Sequence, residues 1–574
     1  LGWGVETSPP KRPPPPPSPL PGGGSEAPSP LRGGGWGEGL RLPLPLTPVR
    51  GSWLLVLLLS ASATAAPPTV THLFPPGAQR GTTATVTAGG TFDTWPVKVW
   101  VDSPGVAVEP AKDKGKFTVT VAADAVPGVC RLRFHAPDGA SGIRHFAIGT
   151  LPDVAEKEPN DEPKTAQSIL GPVVVNGQLV KAGDVDCYAV PLKTGQTLVA
   201  AVEANHGLKS PMDAVLEVVS LDGFVLADNH DANGLDPQLA FAAPKDGTYV
   251  VRVFAFPAAP DTTIRFAGGD AYVYRLTLTA GGFADFPVPL AVAKPDDAVA
   301  LEGWNLPTEL KPALSPPRPG DPFRTLFHPT LANAVRVRVE PHPTFAAPPA
   351  APPAAPFSFT GRVPERGYSD FAFTGKKGVP LAVEVESRTL GLAVNPAVRV
   401  LDSAGKEVAR GEPASANGDT ALSLTPAADG VYTARVADLY AGGGKRFAYL
   451  LRVTPAVPDF ALTATADRFA VAPEKSVDIA IKVARKHGFA KPVEVVAEGL
   501  PADAKLEVKP AKPDAKPDPN ALTLTLTAGK APFSGPLRLV GTAATPRPVT
   551  APLAAESPDS TADLWLTVTE PAKK

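Results

Sequence analysis

The sequence Gly-Thr-Tyr-Val-Val-Arg-Val at residues 247–253 recurs as Gly-Val-Tyr-Thr-Ala-Arg-Val at residues 430–436. Each copy opens with glycine and continues as a short alternating segment, the pattern of a half-buried β-strand. A hairpin-like apolar stretch precedes each copy, and a tyrosine-containing strand follows at residues 274–276 and 449–451. The repeat therefore predicts two tandem copies of one β-domain.

The same period-two alternation continues along most of the chain after Ala66, for example at Lys98–Val101, Phe117–Val121 and Leu522–Leu526. Glycine, proline, asparagine and aspartate punctuate it at regular intervals, and no long amphipathic helix can be recognised. A chain of 574 residues is also too long for a single hydrophobic core. These features predict an all-β protein made of tandem β-sandwich domains that are joined by proline-rich linkers.

A weaker similarity between the segments that begin at Phe74 and Phe286 places a small Ig-like domain ahead of each larger sandwich. An alanine- and proline-rich tract should form a stiff linker. The predicted divisions are residues 1–48, a disordered Pro/Gly-rich segment; 49–66, a signal peptide; 67–150, an Ig-like domain; 151–280, the first large sandwich; 281–342, a degenerate Ig-like domain; 343–356, the linker; 357–455, a second, degenerate large sandwich; and 456–571, a C-terminal Ig-like domain.

The segment 49–66 has the three parts of a secretory signal peptide: Arg50, the apolar run Trp53–Leu59, and a small-residue Ala-x-Ala end. The alternatives are a membrane anchor or a chance apolar patch, although the run is short for a bilayer. In that case we expect the protein to start near Val49, with residues 1–48 added upstream of the true start. We expect an exported protein, located in the extracellular space, at the cell surface or in the periplasm, with no membrane-spanning segment after cleavage.

Composition excludes some partners. The net charge is −2, and no basic block or basic-aromatic pattern points to nucleic acid or to an anionic membrane. Export would permit a disulfide, but Cys130 and Cys187 fall in different predicted domains. We expect two unpaired, partly buried thiols.

Two acidic clusters bracket the first predicted strand of the first large sandwich. They are Glu-Lys-Glu-Pro-Asn-Asp at residues 156–161 and Gly-Asp-Val-Asp-Cys-Tyr at residues 183–188. Carboxylates and an amide at this density suit Ca²⁺, which takes six to eight oxygen ligands. The alternative is an Asx-type turn at Asn160, with solvated loop carboxylates at Asp184 and Asp186.

These clusters, together with Asp222-Gly223 and Gly247-Thr248-Tyr249, resemble the bacterial pre-peptidase C-terminal domain, which is similar to the collagen-binding domains of clostridial collagenases. The resemblance implies a jelly-roll-type β-sandwich in a secreted protein, often behind a protease domain, with calcium as its metal. It covers residues 153–280 well and residues 356–455 in part, where the acidic leading segment is absent. The segments 67–150 and 281–342 look like Ig-like domains of the IPT/TIG type. Carried over position by position, the resemblance implies as metal ligands Glu156, Glu158, Asn160, Asp161, Asp184 and Asp186.

Catalytic motifs are absent from the sequence: it has no Gly-x-Ser-x-Gly elbow, His-Glu-x-x-His, P-loop or dinucleotide fingerprint. His135 and His145 flank a loop that contains Asp138 and Ser141, but strand-edge histidines explain this spacing better than a triad. Residues 229–234 mimic the start of an EF-hand loop. Ala240 stands where the bidentate glutamate should be, so a polar turn is expected there, with Asp228 or Asp231 as accessory cation ligands at most.

The sequence thus predicts a non-enzymatic, secreted or cell-surface binding or adhesion protein, in which a calcium-stiffened sandwich contacts an extracellular protein or a polysaccharide. One alternative is an accessory or targeting subunit of a secreted peptidase or other hydrolase. A second alternative is an unrecognised extracellular hydrolase that uses dispersed carboxylates.

Overall fold

The computed structural model describes residues 65–259, 265–318, 321–415, 418–509, 518–543, 545–553 and 560–570. Nearly all regular structure in these ranges is β-strand, so the all-β prediction is confirmed. The predicted disordered segment 1–48 and residues 49–64 of the predicted signal peptide lie outside the described residues. No helix in the described ranges has the length and apolar character needed to cross a membrane.

The first domain consists of two sheets that pack face to face, in the orders β1-β3-β6-β5 and β2-β9-β7-β4, with β8 added to β7. Alternation decides which side chains face the core: in β6, Phe117, Val119 and Val121 are buried between exposed neighbours. The strands are β1 Thr69–Phe74, β2 Gly77–Gln79, β3 Thr83–Thr91, β4 Lys98–Val101, β5 Val106–Pro110, β6 Lys116–Val121, β7 Gly128–Ala136, β8 Gly139–Ala140 and β9 Arg144–Gly149.

The first large sandwich has two five-stranded sheets, in the orders β10-β12-β19-β14-β17 and β11-β13-β18-β15-β16. Buried side chains from both sheets form one core, which includes Tyr188 and Tyr274. The elements are β10 Asp153–Ala155, β11 Gln167–Ser168, β12 Val173–Gln178, β13 Asp186–Leu192, β14 Thr197–Glu203, α1 Asn205–Leu208, β15 Met212–Val219, β16 Val225–Asn229, β17 Gln238–Ala242, β18 Gly247–Pro257 and β19 Val273–Thr279.

The next, smaller domain has a two-stranded sheet, β20-β22, and a four-stranded sheet, β21-β25-β24-β23. Its core is small and contains Leu326, Leu331 and Val337. The strands are β20 Phe283–Val288, β21 Ala291–Val292, β22 Ala300–Trp304, β23 Ala313–Leu314, β24 Phe323–Phe327 and β25 Val335–Val339.

The second large sandwich repeats the topology of the first. Its sheets run β26-β27-β34-β29-β32 and β28-β33-β30-β31, which is the first order without a counterpart of β11. The tract 343–356, predicted as a linker, contains β26, which pairs with β27 as β10 pairs with β12. The elements are β26 Thr344–Phe345, β27 Phe357–Arg362, β28 Tyr368–Gly375, β29 Leu381–Glu386, a 3₁₀ turn at Arg388–Leu390, β30 Pro396–Leu401, β31 Glu407–Gly411, β32 Thr420–Leu424, β33 Gly430–Asp438 and β34 Ala448–Pro455.

The last domain forms a continuous path of strands in the order β36-β44-β41-β42-β35-β37-β40-β39, with β38 on β41 and β43 on β42. Its core includes Phe460, Leu524 and Leu566. The strands are β35 Asp459–Ala464, β36 Arg468–Val471, β37 Ser476–Lys486, β38 Val495–Glu498, β39 Lys505–Val508, β40 Ala521–Thr527, β41 Phe533–Gly541, β42 Arg547–Pro552, β43 Ser560–Thr561 and β44 Leu564–Val568.

The first and last domains contact each other around Arg133, whose side chain is fully buried. Its guanidinium donates to Asp467 at 2.9 Å and to the carbonyl of Ser141 at 3.1 Å, and it lies over the ring of Trp565. Trp100 meets Trp565 edge to face with a centroid distance of 6.2 Å. A buried arginine in such a junction is stable only because its charge is paired.

His135 lies in the same junction, with its ring centroid 4.8 Å from that of Trp565 and Nδ1 3.0 Å from Ser534 Oγ. Burial, aided by the charges of Lys98 and Arg133, lowers the pKa of His135 from 6.5 to about 4. The unfolded chain binds a proton at this residue near pH 6.5, whereas the folded chain does so only near pH 4. The folded protein keeps this ring neutral, so it loses stability relative to the unfolded chain as the pH falls from 6.5 to about 4.

We predict that His135→Gln, which removes the titration but keeps a polar side chain, reduces the loss of thermal stability between pH 7.5 and pH 5. Melting temperatures of the full chain at both pH values measure the effect, and His487→Gln, at an exposed turn, is the control. Identical pH dependence in the wild type and His135→Gln would contradict the assignment.

Candidate metal site

The leading segment of the first large sandwich is fixed to its sheet by the backbone. After β10, the amide of Glu156 donates to the carbonyl of Asn176 at 3.1 Å. The Glu156 carboxylate in turn accepts the amide of Gln178 at 2.6 Å. This exchange turns the half-buried Glu156 side chain back toward the end of the sandwich where β13 begins.

Asn160 joins the leading segment to β13. Its backbone carbonyl accepts the amide of Cys187 at 3.0 Å, and its own amide donates to Glu158 Oε2 at 2.9 Å. Its side chain is fully buried, whereas Glu158 and Asp161 on either side are exposed. The segment therefore presents one buried amide between two accessible carboxylates.

The Gly183-Asp184 turn supplies a buried carboxylate from the other side. Gly183 has φ of 87°, a left-handed conformation that costs glycine little. Asp184 follows with a fully buried side chain, and its Oδ2 accepts the amide of Val180 at 2.6 Å. The turn thus directs Asp184 inward at the start of β13.

Asp186, the first residue of β13, is held by two core tyrosines. The hydroxyl of Tyr274 donates to Asp186 Oδ2 at 2.5 Å, and the hydroxyl of Tyr188 lies 2.5 Å from that of Tyr274. All three side chains are buried. This chain of hydrogen bonds fixes one oxygen of Asp186 and leaves the other facing the leading segment.

The structure brings together all six residues that the sequence analysis gives as candidate metal ligands. Ligand atoms of Glu156, Glu158 and Asp186 lie within 4.8 Å of one another, and so do those of Glu158, Asp161 and Asp184. Glu158 belongs to both groups, and the buried amide of Asn160 lies beside Glu158 and Asp186. The five carboxylates therefore form two overlapping groups that share Glu158, with the Asn160 amide beside one of them, and the side of Glu158 and Asp161 is exposed to solvent.

Such a cluster has little positive charge to balance it. In the described part of the chain, the one cation within 4.0 Å of these carboxylates is the exposed Lys181, whose Nζ is 3.6 Å from Asp184 Oδ1. Burial raises the pKa of Asp186 well above its usual range, and repulsion from the other carboxylates adds to this effect. Burial also raises the pKa of Glu156. A divalent cation would instead stabilise the ionised forms.

Two buried groups fit a cation in particular. Asp184 Oδ1 is inaccessible to solvent and receives no hydrogen bond. The side-chain oxygen of Asn160 faces only acceptors, and exchanging it with the amide nitrogen would give hydrogen bonds of 3.0 Å to Glu158 and 3.2 Å to Asp186. An amide oxygen directed at two carboxylates is favourable when a cation lies among them, so these residues fit Ca²⁺.

The second large sandwich carries different residues at the equivalent positions. Strand register aligns Asp186 with Ser369, and the matching tyrosine, Tyr449, donates to the Ser369 hydroxyl at 2.8 Å. Two residues earlier in each copy, Gly367 of the second sandwich is equivalent to Asp184 of the first. The tyrosine anchor is thus retained in the second copy, while both carboxylates at the start of the strand are replaced.

Sequence reasoning missed the roles of Tyr188 and Tyr274, because they lie 86 residues apart and read as ordinary strand residues. The EF-hand-like stretch forms a contact with the second large sandwich, in which Arg446 donates to the carbonyl of Ala232. Ser141, in the loop beside His135, accepts the amide of Phe134 and donates to the carbonyl of Gly142, so its hydroxyl is engaged by the backbone.

Comparison with known proteins identifies part of this region. Residues 184–255 match the family model of the bacterial pre-peptidase C-terminal domain. The matched range begins at Asp184 and ends within β18, so it covers the second acidic cluster and most of the first large sandwich. The expected resemblance is confirmed for this segment, whereas the Ig-like (IPT/TIG-type) domains stay a prediction.

One curated relative is a probable subtilase-type serine protease of Deinococcus radiodurans, 28% identical over 234 residues. The match covers 38% of this chain and 25% of the relative, so the chain spans about a quarter of that protein's length.

Two solved structures align with the chain at low scores. The pre-peptidase C-terminal domain of a Bacillus anthracis collagenase aligns over 22% of this chain and all of its own, with 17% identity and a TM-score of 0.16. A Clostridium perfringens M60 catalytic domain with two CBM51 domains aligns over 69% of this chain and 55% of its own, with 8% identity and a TM-score of 0.13.

The hydrogen-bonded tyrosines depend on Gly177 in β12, because a Cβ there would lie 2.3 Å from the hydroxyl of Tyr274. We predict that Gly177→Ala displaces this ring and destabilises the first large sandwich by about 1–3 kcal/mol, the usual cost of overpacking. Hydrogen exchange of peptides from β12 and β13 in the full chain measures the loss.

The control is Gly247→Ala at the start of β18, where the nearest atom is 4.0 Å away. Equal protection of β13 in both variants would show that Tyr274 does not need this space.

Proposed function

We propose that residues 151–280 form a calcium-binding, non-catalytic module of an exported protein, which contacts an extracellular protein or a polysaccharide. The observation that carries the proposal is the pair of carboxylate groups that share Glu158, together with the Asn160 amide and a buried Asp184 oxygen that accepts no hydrogen bond. Calcium matches this ligand set in number and type.

The metal would act by joining two parts of the chain. Glu156, Glu158, Asn160 and Asp161 come from the leading segment, whereas Asp184 and Asp186 come from the start of β13. Binding free energy at such a site becomes stability of the joined structure, because the unfolded chain does not hold the ligands together. We infer that calcium holds the leading segment against the sandwich in the calcium-rich space outside the cell.

Within this proposal, the chain acts as an accessory or targeting component for a secreted peptidase. The family description of residues 184–255 and the protease name of the Deinococcus relative support this role. A serine hydrolase site near residue 140 has little support, since Ser141 and His135 are engaged in other contacts. The alternative of a hydrolase that uses dispersed carboxylates is left to an activity assay.

We predict that calcium raises the melting temperature of the full chain relative to a chelator, and that Asp184→Asn abolishes the shift. At a calcium concentration 100 times Kd the stabilisation would be about 2.7 kcal/mol. Scanning calorimetry in calcium and in EDTA, with direct calcium titration, measures both quantities.

The control is Asp222→Asn, at the exposed turn between β15 and β16, which should retain the full shift. In EDTA, Asp184→Asn should melt no lower than the wild type, because it removes one of several crowded negative charges. A calcium shift of equal size in wild type and Asp184→Asn would contradict the metal site.

We also predict that the purified full chain, with or without calcium, hydrolyses casein and a panel of polysaccharides no faster than buffer does. Hydrolysis that is lost on substitution of one carboxylate would instead establish the hydrolase alternative.

A further inference from the structure

The outer face of the β28-β33-β30-β31 sheet of the second large sandwich carries a row of charged side chains. Inward residues of these strands, such as Phe371, Val398 and Val436, are buried in the core. The alternate residues therefore face outward. Strand register places four of them side by side across the sheet; we call this set, Asp370, Arg435, Arg399 and Arg410, the arginine row.

Tyr368 lies beside this row and is 51% exposed. The guanidinium carbon of Arg435 is 3.6 Å from the centre of its ring. Arg435 is itself fixed by two hydrogen bonds to Asp370, of 2.8 and 2.7 Å. One ring face is therefore held on a positioned guanidinium, and the exposed part of the ring is presented to solvent without a large loss of side-chain freedom on binding.

The sheet surface next to Tyr368 is formed by small side chains. Its neighbours across the sheet are Ala437 and then Ala397, both with small side chains. Strands are about 4.8 Å apart, so these residues form a flat strip between the tyrosine and the other edge of the sheet. A flat strip beside an aromatic ring suits an extended polymer rather than a ligand that needs a deep pocket.

The first large sandwich provides an internal comparison. Its equivalent row is Cys187, Arg252, Glu217 and Asp228. That row has one arginine and two carboxylates, whereas the arginine row has three arginines and one carboxylate. Cys187 is also fully buried beneath the leading segment, while Asp370 is exposed. The row is thus acidic and covered at Cys187 in one copy, and basic and exposed at Asp370 in the other.

The two arginines of the row that lie farther from Asp370 form only weak ion pairs. Arg399 and Arg410 are 64% and 73% exposed, and they share one carboxylate, Glu407, at 3.7 and 2.8 Å. Exposed ion pairs of this kind contribute little stability, so an incoming anion can displace them. Guanidinium groups bind carboxylates in a bidentate geometry, so a ligand that carries carboxylates fits these two side chains.

We propose that this face binds an acidic polysaccharide, with a sugar ring stacked on Tyr368 and uronate carboxylates paired with Arg399 and Arg410. This surface, on the second large sandwich that lacks the candidate calcium ligands, would be a ligand contact additional to the one proposed for residues 151–280. An aromatic ring with an exposed edge and face, next to guanidinium groups at strand spacing, matches a polymer that alternates apolar ring faces with carboxylates.

Binding of polygalacturonate to the full chain in EDTA, measured by titration calorimetry at low salt, tests the proposal. Fully methyl-esterified polygalacturonate is the matched probe, since it keeps the sugar backbone and removes the charge. We expect the ester to bind at least about tenfold more weakly, as does the double variant Arg399→Gln/Arg410→Gln, because charged hydrogen bonds are lost.

Tyr368→Ala should weaken binding by about three- to tenfold, the range expected for loss of an aromatic contact, while Tyr368→Phe should retain it. Arg538→Gln, an exposed arginine of the last domain, should bind as the wild type does. Thermal melts confirm that each variant is folded.

Equal binding of polygalacturonate and its ester, or no effect of the double variant, would overturn the proposal. Poly-glutamate that binds as tightly as polygalacturonate and ignores Tyr368→Ala would also overturn it, because the partner would then be an acidic peptide. Glycan binding is measured in EDTA and calcium binding is measured without glycan, so this proposal and the calcium proposal can fail separately.

Discussion

Paired arginines, two of them buried, lie at junctions between domains in the described part of the chain. Arg133 is fully buried between the first and last domains, and Arg275, which is 3% exposed, lies where the first domain meets the first large sandwich. Arg275 pairs with Asp153 at 2.8 Å and donates to Asn176 at 2.7 Å, and a Cβ at Gly77 would clash with it. Arg446 connects three domains by binding Asp285 at 3.0 Å and the carbonyls of Gly391 and Ala232. Removing the partner of Arg133 or Arg275, or removing Arg446 from the buried Asp285, would leave a buried charge, so each junction is specific in its geometry.

The candidate metal site and the arginine row each carry an excess of one sign of charge, negative at the first and positive at the second. Around Asp184, carboxylates gather with one exposed lysine nearby, and a divalent cation would complete the balance. Across the second sandwich, arginines gather with too few carboxylates, and an anionic polymer would complete it. The internal repeat makes the contrast interpretable, because both surfaces lie on one topology and can be compared residue by residue.

The sequence was sufficient for the features that are local. Alternation at residues 247–253 and 430–436 predicted the strands β18 and β33, and the two acidic clusters predicted six residues that the structure places together. The remaining features depend on contacts between distant residues. Tyr188 and Tyr274 meet only after the two sheets pack, and the row from Asp370 to Arg410 appears only when strand register is known. The tract 343–356 illustrates the limit, since its proline content suggested a linker although it contributes strand β26 to a sheet.

The contact between the first and last domains has a mechanical consequence. In a series of domains joined only by linkers, tension between the outer two would be carried by each linker in turn. Here Arg133, Asp467 and Trp565 join these two domains directly. A pulling force applied between them would load this junction first, and the intervening sandwiches would bear it only after the junction had broken. The proposed ligand surfaces would therefore be shielded from strain up to a threshold force.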